Sequence, residues 1–125
     1  MEITRESPGE ETRYRIRGYG PGEIRINNVT YTSSLLLAQD RIVPDWNPPP
    51  IAEWTPETLD PLLAMDPEII LVGTGSELHL LGMPFLAHAL RHGCGLEVMT
   101  TDAACRTFSV LSSEDRKVAA ALIID

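Results

Sequence analysis

The sequence predicts an α/β fold with a βαβ unit and an N-terminal β-hairpin. Two patterns carry that expectation. Apolar residues alternate with polar ones from Tyr14 to Tyr31, the period of strands with one buried face. Further on, two apolar runs, EIILV (68–72) and LEVMT (96–100), flank a segment with helix punctuation. Strand, helix, strand in that order suggests a right-handed crossover between parallel strands.

Each element has a local reason. Residues 1–12 (MEITRESPGEET) combine charge with Pro8 and Gly9, and are expected to be a loosely ordered, flexible N-terminus ahead of one domain over 13–125. Tyr14, Ile16, Ile24, Ile26, Val29 and Tyr31 supply the alternating face. Gly18, Gly20, Pro21 and Gly22 break the first run, and Asn27-Asn28 suits a hairpin turn because Asn tolerates positive φ. SLLLA then reads as a more fully buried strand. QDRIVPDWNPPPIAEW reads as a loop, since Pro48, Pro49 and Pro50 exclude regular structure.

Thr55-Pro56-Glu57 marks a helix start, with Leu59, Leu62 and Leu63 on its apolar side. Pro61 keeps this helix short and Asp66-Pro67 ends it. Pro84 opens a second helix over MPFLAHALRHG, with Phe85, Leu86, Ala89 and Leu90 as its buried stripe and Gly93 as its stop. Asp102 is placed to cap a third helix from about Ala103 to Leu111, followed by a turn at SSEDR. KVAAALII could be helix or strand, and the preceding turn and its short length favour a final strand.

Charge and composition narrow the function. Apolar residues make up 43% and charged residues 22%, as in a soluble globular chain. The net charge of −8 lacks the basic footprint of a general nucleic-acid binder. No run is long enough to span a membrane. The polar N-terminus has no apolar core of a secretory signal, so a cytoplasmic location is expected. Cys94 and Cys105 are then expected to be free thiols, because a five-residue strand between them is roughly 16 Å long, beyond disulfide reach.

The stretch LVGTGSE (71–77) begins like a nucleotide-binding turn. A dinucleotide fingerprint needs a third glycine where Leu78 stands, and a helix that opens at once. A P-loop needs a Gly-Lys-Ser/Thr ending that is missing. The glycines therefore read as permitting a tight turn and close packing after a buried strand. Thr100, Thr101 and Asp102 stand at the next strand's end, where α/β sheets usually hold ligands. Cys105, in a helix first turn beside Arg106, is the best-placed nucleophile; the competing reading is a small apolar residue packed beside Ala103 and Ala104. That second reading is preferred, because no histidine is tied to the thiol by a motif. His88 and His92 lie one helical turn apart, a spacing that can hold a metal, but without an HExxH pattern they read as solvated side chains. Arg13, Arg15 and Arg17 share one face of a strand, as a solvated row or as a contact for an anion or an acidic partner.

Several stretches together resemble one family: RGYGPGEIRINNVTYTSSLLLA, the VPDW loop, EIILVGTGSE, and GLEVMTTDAACRTFSVLSSEDRKVAAALI, with VMTTDAACRTF the most specific. This pattern resembles the Mth938-domain (DUF498) family, which includes a mitochondrial factor assisting assembly of respiratory complex I. The resemblance spans about residues 13–124. It implies a three-layer α/β fold with a mixed β-sheet, a small β element packed against it, and helices. It implies no established reaction and no cofactor. Two departures stand out: the family pattern has Asn where this chain has Ser109, after the aromatic Phe108, and Gly where it has Asp115.

Two functional readings follow. The first is a non-enzymatic binding or assembly-accessory protein with an unnamed protein partner. The alternative is a small enzyme or ligand-binding protein using a cleft between Gly73, Thr74, Gly75 and Ser76 on one side and Thr100, Thr101, Asp102, Cys105 and Arg106 on the other. No catalytic constellation, metal set or cofactor motif declares itself, and no oligomeric state is legible.

Overall fold

The structure, a computed structural model, describes residues 13–125. The expected loose N-terminus lies outside the described residues. Strands β1 (Ile16–Gly20), β2 (Glu23–Ile26) and β3 (Val29–Tyr31) form an antiparallel sheet in that order. Pro21 and Gly22 make the first turn, with Gly22 at φ 74°. Asn27 turns the second at φ 53°, and its side chain also binds the Arg15 N–H and the Arg13 carbonyl. The first two strands are not evenly paired. Ile16 faces Ile26 and Gly18 faces Arg25, so Arg17 is an extra residue in a β-bulge. The expected single row of Arg13, Arg15 and Arg17 is broken there.

The second sheet is mixed, in the order β5-β4-β8-β6-β7. Its members are β4 (Leu35–Ala38), β5 (Arg41–Val43), β6 (Ile69–Gly73), β7 (Gly95–Met99) and β8 (Val118–Leu122). β6 runs parallel to both β7 and β8, whereas β4 is antiparallel to β5 and β8. β5 corrects the loop expected from Gln39 onward. Arg41, Ile42 and Val43 pair with Ala38, Leu37 and Leu36 across a tight turn, and the loop begins only after them.

All five residues of the central strand β8 are buried, and it separates two apolar layers. On one side Leu35, Leu37, Leu71, Ala120 and Leu122 meet Ile24 and Ile26 of the small sheet and Ala104, Cys105 and Phe108 of a helix. On the other, Leu36, Ile70, Val72, Ala119 and Ala121 meet Trp54, Leu59, Leu62 and Ala89. Alanines on β8 let both layers approach closely.

The helices cover these faces. Pro56–Leu59 forms a 3-10 turn that leads into α1 (Asp60–Leu63), and the Thr58 hydroxyl accepts the Thr55 N–H. Leu59 and Leu62 are buried as expected. α2 (Met83–Arg91) packs on the edge strand β7 and on the Pro56–Leu59 turn. Its expected stripe is rotated. Ala89 and Phe85 face inward, but Leu86 is 40% and Leu90 72% exposed. The helix sits at the sheet's margin, so its outer flank has nothing beneath it. His88, expected to be solvated, is instead half-buried, with Nε2 2.8 Å from Asp60 Oδ1.

α3 (Thr101–Ser113) is longer than expected at both ends. Thr100 is its N-cap, with Asp102 inside the first turn and no side-chain cap bond, so the predicted capping role of Asp102 is wrong. β7 ends one residue early, at Met99, which shifts the helix start with it. The acid still favours the positive end of the helix.

Both α2 and α3 end in a Schellman motif. At α2, Gly93 N bonds Leu90 O and Cys94 N bonds Ala89 O, with Gly93 at φ 77°. At α3, Asp115 N bonds Ser112 O and Arg116 N bonds Leu111 O, but the left-handed position is held by Asp115 at φ 59°. The family resemblance implies glycine at this position. Asp115→Gly is therefore expected to raise stability by about 0.5–1 kcal/mol in urea unfolding. The lost pair with Arg13 is exposed and offsets little of that. A destabilised variant would show that the ion pair outweighs the backbone strain.

Candidate functional site

The site lies where β6 and β8 end and α3 begins. β6 brings Gly73 into direct contact with the helix: a Cβ built there would fall 2.9 Å from Thr101 Cα. Only glycine permits that approach, which matches the packing role read from the sequence. Thr74 N then bonds Met99 O, and Ile123 N bonds Gly73 O, so the turn is tied to the strands on both sides. The Thr74 hydroxyl is buried, donating to Glu77 O at 2.6 Å and accepting from His79 N at 3.2 Å. It shapes the loop that leads to α2.

Thr101 is the hub. Its Oγ1 donates to Ile123 O at 2.6 Å and accepts from Gly75 N at 2.8 Å, while Thr101 N bonds Gly75 O at 3.0 Å. Gly75 adopts φ 95°, and a side chain there would run into Asp125. The Asp125 carboxylate accepts from Ser76 N and from the Ser76 hydroxyl, at 3.1 and 3.2 Å to Oδ2. The amide that a bound phosphate would need is thus engaged by the chain's own carboxylate.

Above this junction is an open cleft of about 210 Å³. Of the residues expected to form a surface, Gly75, Ser76, Thr100, Thr101 and Asp102 line it. Gly73 and Thr74 are buried beneath. Arg106 turns away, its Nη1 3.2 Å from the Tyr19 hydroxyl, a contact that raises its pKa. The other walls come from residues the sequence did not point to: the hairpin tip Gly20–Glu23 and the terminal segment Ile123–Asp125. The Gly-Pro-Gly sequence signals a tight turn, but nothing local says that it reaches the glycine turn. Glu23, Asp102 and Asp125 make the cleft acidic.

Cys105 does not face the cleft. It is fully buried among Ile24, Leu71 and Phe108, and burial pushes its thiol up to about 12, with the Asp102 charge adding to the shift and Arg106 opposing it. The preferred packing reading fits these contacts, and activation by the helix start is overruled by desolvation. Cys94 is also buried and raised by desolvation; its thiol donates to Pro67 O at 2.9 Å. The His88 and His92 rings lie 5.1 Å apart, tilted by 59°, with His92 Nδ1 2.9 Å from the His88 carbonyl oxygen and His88 Nε2 on Asp60. No group of three metal-ligating side chains converges among the described residues.

Fold and junction together define an Mth938-like α/β domain. The family described as "Protein of unknown function (DUF498/DUF598)" matches residues 16–123, and the chain belongs to it. It is 33% identical over 110 residues to NADH dehydrogenase (ubiquinone) 1 alpha subcomplex assembly factor 3 of Danio rerio, covering 86% of this chain and 63% of that protein. The chain thus spans less than two thirds of that relative. Among solved structures, a crystal structure of a Bordetella parapertussis protein is similar at a TM-score of 0.84 and 35% identity, covering 91% of this chain and 98% of that one. A Bordetella pertussis protein described as a Mth938-like domain aligns at a TM-score of 0.78 and 27% identity, covering 100% of this chain and 93% of that one.

The two thiols, free and buried, generate a direct prediction. At pH 8 the native protein should resist iodoacetamide, and both cysteines should be modified once it is unfolded, without reductant. Mass spectrometry counts the adducts. Rapid modification of Cys105 in the native state would contradict its burial.

Proposed function

We propose that this chain is a non-enzymatic binding or assembly-accessory protein that acts on a protein partner; its Danio rerio relative is named as an assembly factor. One observation carries the reading. Met83, Leu86 and Leu90 fall at helical spacing on the outer flank of α2, exposed by 74%, 40% and 72%, with Leu78 and Leu80 exposed in the loop before it. α2 contains no Asp or Glu, in a chain of net charge −8. An apolar, charge-poor face is the usual character of an interface centre. The same net charge disfavours nucleic acid as the partner.

The alternative reading uses the cleft. Its residues support it less well. The Thr101 hydroxyl, the Ser76 N–H and the Asp125 carboxylate are already bonded to one another's segments, and the thiol lies beneath the surface. A volume near 210 Å³ is below the ~300–1,000 Å³ common for ligand pockets. A cytoplasmic location goes with the reading. Separately, no helix among the described residues is long and apolar enough to cross a membrane.

Affinity capture from the native host, followed by mass spectrometry, tests this with two exposed substitutions. The parent and the cleft variant Asp102→Asn should retain one stoichiometric protein partner, and Leu90→Asp should lose it. Loss with Asp102→Asn but not with Leu90→Asp would favour the cleft. Recovery of no partner by any of the three would sink the docking reading.

A further inference from the structure

A second concavity, independent of the cleft and of the α2 face, lies between β1 and α3. It is a slot of about 170 Å³ lined by Arg15, Ile16 and Arg17 on the strand and by Phe108, Ser109, Ser112 and Ser113 on the helix. Its two ends are pinned. Arg106 reaches Tyr19 at one end, and Arg13 donates to Ser112 O at the other, each at 3.2 Å. Between these bridges the slot opens beside Ile16 and Phe108. A pinned slot of this volume cannot admit an added strand, so it suits a compact group.

Its chemistry is cationic and donor-rich. Arg15 and Arg17 are exposed, and among the described residues neither guanidinium has an acidic partner. The β-bulge makes Arg17 the unpaired extra residue of β1, and a bulge re-aims its side chain. Arg15, Ile16 and Arg17, consecutive in sequence, all line the slot. The facing helix offers the hydroxyl of exposed Ser109. Phe108, almost fully buried, forms an apolar floor that lowers the local dielectric and strengthens charge-assisted bonds. On a chain of net charge −8, two arginines beside one small concavity mark a local reversal of sign.

We propose that the slot between β1 and α3 is a binding site for a compact dianion of the phosphate class, held by Arg15, Arg17 and Ser109. Two guanidinium groups match two negative charges. A carboxylate would leave one of them without a counter-charge. Three acceptor oxygens on a phosphate can take the two arginine forks and the serine hydroxyl together. The proposal does not depend on the protein-docking reading above, because it uses neither α2 nor the cleft.

The test is a titration of the full chain followed by two-dimensional ¹⁵N NMR, at constant ionic strength. Sodium phosphate is expected to give saturable shifts confined to residues 15–17 and 108–113, and sodium chloride to give none. Affinity should fall about tenfold or more in Arg15→Gln/Arg17→Gln, where two charge-assisted contacts are lost. Ser109→Ala, exposed and away from the bulge, should weaken binding a few-fold and keeps the test valid if the double variant does not fold. Arg25→Gln, on the neighbouring strand but outside the slot, should bind like the parent. A parallel titration with O-phosphoserine separates the sources. Tighter binding than inorganic phosphate points to a phosphorylated side chain or ester, and equal binding to the free ion. Shifts that chloride reproduces, that fail to saturate, or that persist unchanged in the Ser109 and arginine variants would overturn the site.

Discussion

The hydroxyl of Thr101 ties three segments together where β6 and β8 end and α3 begins. It accepts from the N–H of Gly75, which turns the chain after β6, and donates to the carbonyl of Ile123, which continues β8. It belongs to the first residue of α3, so the helix start is fixed to the ends of two parallel strands. The contact requires Gly73, because a side chain there would collide with the Thr101 backbone. Gly73, Gly75 and Thr101 thus act as one unit. The Thr101 hydroxyl, the Gly75 N–H and the Gly73 carbonyl all find partners within the unit or on Ile123, which is the condition for a low-dielectric junction to hold rather than to cost stability.

From this junction the rest of the molecule can be followed outward. α3 is held over β6 and β8, and its buried face carries Ala104, Cys105 and Phe108 toward the small antiparallel sheet. The sheet's hairpin tip then rises beside the glycine turn and walls the cleft. On the opposite layer, the loop shaped by Thr74 carries the chain to α2, whose outer flank overhangs solvent. Slot, cleft and apolar flank are therefore separate surfaces set by one arrangement of strands and helices. The cleft is acidic and internally bonded, the slot cationic, and the flank apolar.

Much of this was legible in the residues. The continuous run EIILV marks a strand covered on both faces, whereas KVAAALII is compatible with helix or strand by its own pattern and reads as strand from the turn before it. The punctuation at Thr55-Pro56 and at Gly93 marks helix ends, because caps and left-handed positions are local chemistry. The glycines of LVGTGSE were read as packing and turning residues, which is how Gly73 and Gly75 are used. Non-local decisions were not legible. Arg41–Val43 is a strand because β4 lies beside it, not because of its own pattern. Leu86 and Leu90 have the spacing of a buried stripe, but α2 sits at a sheet margin that no helical period reveals. The bulge at Arg17 is a matter of register between two strands. Asp102 looked like a cap because capping residues crowd that stretch, and a one-residue shift gave the position to Thr100. Cys105 carried the local signs of an activated thiol, yet its burial depends on a sheet some eighty residues earlier in the chain. The cleft's far walls, Gly20–Glu23 and Ile123–Asp125, are likewise brought in by topology.

Unfolding of Thr101→Val and Thr101→Ser by urea, with the parent alongside, tests the central role of this hydroxyl most directly. Valine keeps the shape but leaves the Gly75 N–H and the Ile123 carbonyl without their partner, at an expected cost of about 2–4 kcal/mol. Serine keeps the hydroxyl and should cost no more than about 1 kcal/mol, the worth of a lost methyl group. A valine variant as stable as the parent would contradict the account, because the backbone bonds and packing would then hold the junction without the hydroxyl.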